Sequence, residues 1–307
     1  MGNSQAAQSD RQKLARKKKF IENFGGYAYI APWLIGFLLL SAWPMIYSFY
    51  LSFTNYNMFG SPGWIGTKNY KQIFSTDLNF SKSLKTTFKF VLIAVPAKLI
   101  FALFIANLLS KDVKGMSFYR TMVYLPSLIG GSVAVSMVWK NIFGLDGYVN
   151  SIIVWLGGAK VPWLVSTKLA LPTLMLMNVW QFGSSMIIFL AGLKQIPKSL
   201  YESAKVDGAG PVSCFFHITV PMLSPVVFFN LINSMISAFQ QFNSAYLVSS
   251  GGPAHSTYLY ALMLYEKAFT AYQMGYASAL AWILLVIIAV FTGINFILSK
   301  YWVHYDD

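Results

Sequence analysis

Polar side chains recur at helical spacing inside two otherwise apolar stretches, where they could hold an uncharged polar solute. Asn230, Asn233, Ser234, Ser237, Gln241 and Ser244 stand between residues 219 and 248. At 100° per residue they share an arc of roughly 120° on one helix face. Asn178, Gln181 and Ser185 lie between 169 and 193 and span an arc of roughly 60°. Amides and hydroxyls in apolar surroundings must find partners. They either bond across helices or line a wet path, and a stripe this long on the fifth stretch favours the path. Neutral donors and acceptors suit a polyhydroxyl solute better than a metal ion. Lys98 lies about twelve residues into the second apolar stretch with no acid at its depth, a costly position for an ammonium. It either snorkels or pairs with an acid on another subunit, or faces the path and favours an anionic solute such as a uronate-containing sugar.

Other chemistry is missing. No Gly-rich loop followed by Lys-Ser/Thr is present to cradle nucleotide phosphates. His217, His255 and His304 fall outside the apolar cores, and none of the ten acids lies at mid-stretch. A proton-coupled transporter usually needs such groups within the membrane, and a paired-carboxylate enzyme needs two acids together. The single cysteine, Cys214, excludes an intrachain disulfide or a cysteine metal cluster and reads as a small buried side chain. The chain is therefore expected to have no catalytic residue, no metal site and no bound cofactor.

The elements that position these residues follow from composition. Of 307 residues, 56% are hydrophobic and 11% charged, against about 25% charged in soluble domains; mean hydropathy is +0.54. Six stretches, near 28–52, 84–109, 120–143, 169–193, 219–248 and 276–299, reach the length of about 20 residues that crosses a bilayer. Backbone groups in lipid must be satisfied internally, which makes these stretches helices. The fold class is all-α and polytopic. The first stretch is too long for a signal-peptide core and is read as retained. The net charge of +13 is concentrated before it, at Arg11, Lys13, Arg16, Lys17, Lys18 and Lys19. This is a positive-inside signal rather than a nucleic-acid footprint. It places the N-terminus, and after six spans the C-terminus, in the cytoplasm. Loops on both sides carry lysine, so the N-terminal cluster decides the orientation. The chain divides into a basic tail (1–26), a six-helix membrane domain (27–302) and a short C-terminal tail (303–307). Gly251-Gly252-Pro253 breaks the chain at the outer end of the fifth span. Pro44, Pro96, Pro126 and Pro172 mark kinks within or at the ends of spans.

The polar loop 197–225 separates spans four and five. Pro197 opens a short helix with Leu200, Tyr201 and Ala204 on a partly apolar face. Asp207-Gly208 ends it with a left-handed cap, and Gly210-Pro211 restarts the chain. Glu202-Ser203-Ala204-x-x-Asp207-Gly208-Ala209, followed by Ile218-x-x-Pro221, resembles the EAA loop of binding-protein-dependent ABC importer permeases. Ser203 stands for the usual alanine and Val220 for leucine. Pro32-Trp33-Leu34 through Trp43-Pro44 to Leu51-Ser52-Phe53-Thr54 is similar to the first span of carbohydrate importer permeases. Arg120 through Leu125-Pro126, and Gly251-Gly252-Pro253-Ala254 through Met274-Gly275-Tyr276-Ala277-Ser278-Ala279, match as well, so the likeness covers about residues 28–298.

The likeness is to maltose-transporter-type permeases. It implies a type I importer fold with a cytoplasmic coupling helix, a second homologous permease, two ATPase subunits that hold ATP-Mg, and an extracellular solute-binding protein. Glu202, Ser203, Ala204, Asp207, Gly208 and Ala209 would form the ATPase-coupling motif. The sugar site would draw on Ser127 and Gly131, on Asn178, Gln181, Phe182 and Ser185, and on Ser234, Ser237 and Ala238, with Gln241 and Lys98 added from the residue reading. The chain lacks the large extracellular insertion of some relatives. The expected function is that of the permease subunit of a sugar importer, for a neutral or acidic oligosaccharide. The alternatives are a permease for glycerol phosphate or phosphate, and a polytopic membrane enzyme such as a lipid-linked transferase. The enzyme should show clustered acids or histidines at a membrane face, and none is found.

Overall fold

Apolar length dictates helices, and the computed structural model, which describes residues 29–111 and 113–304, is built from them. The basic cluster Arg11–Lys19 and the tail 1–26 lie outside the described residues, as do 305–307. Three helices cross unbroken: α1 (Tyr29–Leu51), α3 (Leu78–Leu109) and, last in the chain, α13 (Met274–Ser299). The short α2 (Lys68–Ser75) precedes α3. The only strand-like pairing among the described residues is one antiparallel bridge between Thr54 and Trp64.

Three of the expected spans are bent pairs. The 120–143 span divides into α4 (Met116–Ile129) and α5 (Val133–Ile142), bent by 99°. After α6 (Tyr148–Trp155), the 169–193 span divides into α7 (Ala170–Trp180) and α8 (Gly183–Gln195), bent by 44°. Beyond the loop helix α9 (Lys198–Val206), the fifth span starts early as α10 (Pro211–Met222) and turns by 66° into α11 (Ser224–Phe239). Counting each pair as one span gives six. The first break falls at Gly130-Gly131-Ser132, where the Ser132 side chain accepts from the Val135 amide at 3.3 Å and caps α5. The α10–α11 break follows from Pro225. Proline cannot donate to the carbonyl four residues back, and the Ser224 hydroxyl takes over, donating to the Pro221 carbonyl at 2.6 Å. The expected continuation to 248 fails because α11 stops at Phe239, and a wide π turn at Ala245–Ser249 follows. The second span starts at Leu78 rather than near 84, which puts Lys82 inside α3 and not in a loop.

The central helix is α3, which packs against α7, α8, α11 and the short α12 (Tyr260–Tyr265). Its buried stripe contains Ser83, Thr87, Ala94, Ala102 and Ala106. Small residues let helix backbones approach closely where lipid offers no hydrophobic drive for association. At the end of the bundle away from α9, side chains tie the spans together. Asn69 donates to the carbonyls of Ser52 and Thr54 at 2.8 and 2.9 Å. Asp77 caps α3 through the Asn79 amide at 2.9 Å, accepts the Tyr276 hydroxyl of α13 at 2.6 Å, and lies 3.6 Å from Lys267.

Burial alone would raise the Asp77 carboxyl. The Tyr276 hydroxyl, the Lys267 ammonium and the Asn79 and Phe80 amides together outweigh it and hold the group below the usual carboxylate range. A depressed folded pKa contributes stability above the unfolded value and loses it as pH falls through the folded value. Asp77→Asn should therefore lower the melting temperature at neutral pH, by a loss of about 1–3 kcal/mol for its charge-assisted bonds. It should also flatten the acid-side decline of the melting curve measured in detergent between neutral and strongly acidic pH.

Candidate functional site

A helix that stops inside a bundle leaves carbonyls and amides without intrahelical partners, and here three such breaks meet. They are the turn at 130–132, the α7–α8 junction at Gln181-Phe182, and the segment 240–242 after α11. Long amide side chains answer the freed carbonyls. Gln181 Nε2 donates to the Gly130 carbonyl at 2.9 Å, and Asn243 Nδ2 donates to the Gly131 carbonyl at 3.1 Å. Gln241 Nε2 donates to Ser244 Oγ at 2.7 Å. Between them lies a cavity of about 210 Å³ whose walls carry amides, hydroxyls and backbone and no charged side chain.

Two glycines make the approach of these segments possible. A Cβ on Gly130 would stand 2.5 Å from Gln181 Cγ. A Cβ on Gly183 would stand 2.7 Å from Ser127 Oγ and 3.0 Å from Tyr124 Cα, so α8 passes backbone-close to α4. Gly131, by contrast, is exposed and has open space around it.

Of the expected solute residues, the structure brings Gly131, Gln181 and Gln241 to the cavity wall. Ser127 lies beside Gly183, its hydroxyl buried and without a hydrogen-bond partner. Phe182 is buried edge-on against Phe101, with ring centroids 4.7 Å apart. Ser185, Ser234 and Ala238 are buried, and the Ser185 carbonyl accepts from Asn230 Nδ2 at 3.4 Å. Asn178 is half-buried, and its carbonyl accepts the Gln181 amide at 3.2 Å. Lys98 is half-buried on α3, outside the cavity lining, with no ion pair or hydrogen bond among the described residues.

The expected single stripe on span five is two sets of residues. Asn230 and Ser234 are buried, whereas Asn233, Ser237 and Gln240 are exposed in this chain. Asn233 Nδ2 donates to the Phe229 carbonyl and Ser237 Oγ to the Asn233 carbonyl, each at 2.9 Å. Gln241 and Ser244 leave the stripe because α11 ends before them. The 60° arc on span four fails for the same reason, since the chain bends between Gln181 and Gly183. Gly130, Ser136, Met177, Gln240, Phe242 and Asn243 also line the cavity, and their place there is not evident from sequence. Gly-Gly-Ser at 130–132 and the run Gln240-Gln241-Phe242-Asn243 were the available signals, read as helix rather than as interruptions.

The loop helix α9 closes as expected. The Ala209 amide bonds the Ala204 carbonyl at 2.8 Å and the Gly208 amide bonds the Lys205 carbonyl at 3.1 Å, with Gly208 at φ +78°. This is a Schellman ending. Pro197 stands at the N-cap with an extended ψ of 130°, one residue before the first turn rather than within it. Glu202, Ser203, Asp207 and Gly208 are exposed, and Ala204 and Ala209 are half-buried. The Tyr201 hydroxyl and Thr219 Oγ1 meet at 2.9 Å and tie α9 back to α10. Around α9, Val206, Val212 and Phe216 are 88%, 71% and 61% exposed, a display of apolar side chains that suits a protein contact.

Six apolar spans, three of them broken around one uncharged polar cavity, with an exposed capped helix at one end, define a membrane transport subunit. The family model for the binding-protein-dependent transport system inner membrane component matches residues 98–302. The chain belongs to that family and is an ABC importer permease. It is 52% identical over 289 residues to the "Probable ABC transporter permease protein YesP" of Bacillus subtilis (strain 168), covering 93% of this chain and 94% of that one. It is 31% identical over 293 residues to the "Probable starch degradation products transport system permease protein AmyD" of Thermoanaerobacterium thermosulfurigenes, covering 94% and 98%. Its fold resembles a chain of a bacterial alginate ABC transporter solved in complex with an alginate pentasaccharide-bound periplasmic protein. The TM-score is 0.80 at 22% identity, with 92% and 96% of the two chains covered.

The glycine geometry has a direct consequence. Gly183→Ala should destabilise the protein by about 1–3 kcal/mol, because backbone must move to admit the methyl group. Gly131→Ala should stay within about 0.5 kcal/mol of the parent. Melting temperatures of the two purified variants in one detergent check the contrast.

Proposed function

We propose that this chain is the permease subunit of an ATP-driven sugar importer that carries an oligosaccharide. The observation that carries the reading is the junction of three span breaks at a cavity walled by neutral donors and acceptors. Such walls match hydroxyl-rich solutes, for which polar groups fix orientation without a net charge. The exposed polar face Asn233–Ser237–Gln240 extends the polar lining along α11 toward a second, homologous permease. In this reading Gly131, Gln181 and Gln241 contact the solute, Asn178, Ser127, Ser185, Ser234 and Ser237 shape the path, and Phe182 walls it. The relatives named for starch degradation products and alginate support a sugar. Lys98, without a partner among the described residues, supports an acidic one.

ATP hydrolysis belongs to two separate ATPase subunits, and the chain itself has no catalytic role. Glu202, Ser203, Ala204, Asp207, Gly208 and Ala209 present α9 to the ATPase, and an extracellular solute-binding protein delivers sugar to the opposite face. The chain then comprises a basic cytoplasmic tail (1–26), the permease domain (27–302) and a cytoplasmic C-terminal tail (303–307).

Uptake of a panel of neutral and acidic oligosaccharides by reconstituted transporter tests the solute assignment. Gln181→Ala leaves the Gly130 carbonyl unpaired and should cut uptake of every sugar about tenfold, while Lys98→Met should affect acidic sugars alone. Unchanged uptake of acidic sugars by Lys98→Met removes the charge argument. For coupling, Glu202→Ala should leave the permease in the membrane but abolish solute-stimulated ATP hydrolysis. Full stimulation in that variant would remove the role assigned to the loop.

A further inference from the structure

A second cavity, of about 760 Å³, opens where the end of α3, the end of α8 and the α9–α10 segment converge. Its floor is apolar, with Leu193, Ile196 and Phe215, and its rim carries Lys111, Lys194, Lys198 and Lys205. No acid lines it. The ion pairs among the described residues are Lys160–Asp146 and Lys267–Asp77, so none of the four lysines is in an ion pair with a described carboxylate. Glu202 and Asp207 on α9 are exposed and outside the lining. Asp112, beside Lys111, lies outside the described residues. Arg120 adds a further positive charge close by, donating to the Leu109 carbonyl at 3.1 and 2.8 Å.

Depth sets the ligand. With 32 residues, α3 is about 48 Å long at 1.5 Å per residue, more than the roughly 30 Å hydrocarbon layer. The excess, with the charged Lys111 just beyond the helix end, places the last residues of α3 at headgroup level, where the cavity combines an apolar floor with a cationic rim. Basic pockets between spans hold phosphate headgroups by this combination. Four like charges lining one cavity also repel one another, which a bound anion relieves.

We propose that this cavity binds a phosphate-bearing anion, and that the occupant is the headgroup of an anionic phospholipid, its acyl chains lying against the apolar floor. The site is independent of the transported solute, and it rests on the permease reading only in that it needs a membrane.

The test uses the assembled transporter in nanodiscs of phosphatidylcholine alone or of phosphatidylcholine mixed with phosphatidylglycerol. Lipids retained after delipidation are counted by native mass spectrometry. The parent should retain phosphatidylglycerol in preference to phosphatidylcholine. Lys194→Gln and Lys198→Gln, residues remote in sequence from Asp112, should each reduce that preference about fivefold. Equal preference in the parent and in a variant carrying both Lys194→Gln and Lys198→Gln overturns the proposal. If inorganic phosphate in phosphatidylcholine discs raises the melting temperature as much as phosphatidylglycerol does, and the variants abolish that rise, the ligand is a free anion and the lipid assignment fails. If the variants instead lose the ATPase subunits in both lipid compositions with phosphatidylglycerol retention unchanged, the lysines serve the ATPase contact and the proposal is overturned. Oligosaccharide uptake by the same preparations separates a failure here from a failure of the sugar assignment.

Discussion

A backbone carbonyl or amide left without a partner in the hydrocarbon layer costs several kcal/mol, and the rest of this structure is arranged around that constraint. Unbroken α1, α3 and α13 satisfy it within each helix. The broken spans satisfy it by borrowing. Gln181 supplies the Gly130 carbonyl, Asn243 the Gly131 carbonyl, and the Ser224 hydroxyl the carbonyl that Pro225 leaves free. The first two loans come from a second segment, so those breaks persist where they face one another. A polar, uncharged cavity is the geometric result. Gln181 and Asn243, which complete two of the interruptions, also line that cavity.

The position of α9 gives that arrangement a mechanical reading. It is joined directly to α8 on one side and to α10 on the other, so it connects two of the three spans whose interruptions wall the cavity. The Tyr201–Thr219 contact and the Schellman turn at Gly208 make α9 and the start of α10 a braced unit rather than a slack loop. α9 thus stands between the bend at Gln181-Phe182 and the bend at Leu223-Ser224. Bends of this kind absorb motion because their hydrogen bonds run through side chains, which can exchange partners more readily than a continuous helical ladder. The opposite end of the bundle is tied by Asn69, Asp77 and Tyr276.

Legibility in the sequence followed the range of the interactions. The loop helix was readable in detail, because its cap depends on one glycine and its neighbours. Only the place of Pro197, one residue earlier than expected, differs. The polar stripes were readable as residues but not as faces. Asn230 and Asn233 share an arc on an ideal helix, yet one is buried against α8 and the other is exposed. The early start of α3 was hidden because Lys82 looks like a loop residue, although a helix can carry it beyond the apolar layer.

Composition and periodicity alone determined that this chain is an all-α membrane protein of six spans with an exposed, capped helix between the fourth and fifth, because the cost of burying backbone and charge in lipid is paid residue by residue. Only the tertiary structure decided where spans three, four and five break, which of their polar groups point inward, and that Gln181, Asn243 and Gln241 meet at one cavity while Lys98 does not line it. The carbonyls of Gly130 and Gly131 are completed by side chains from other segments, and no pattern within a single span can show whether such a partner is there.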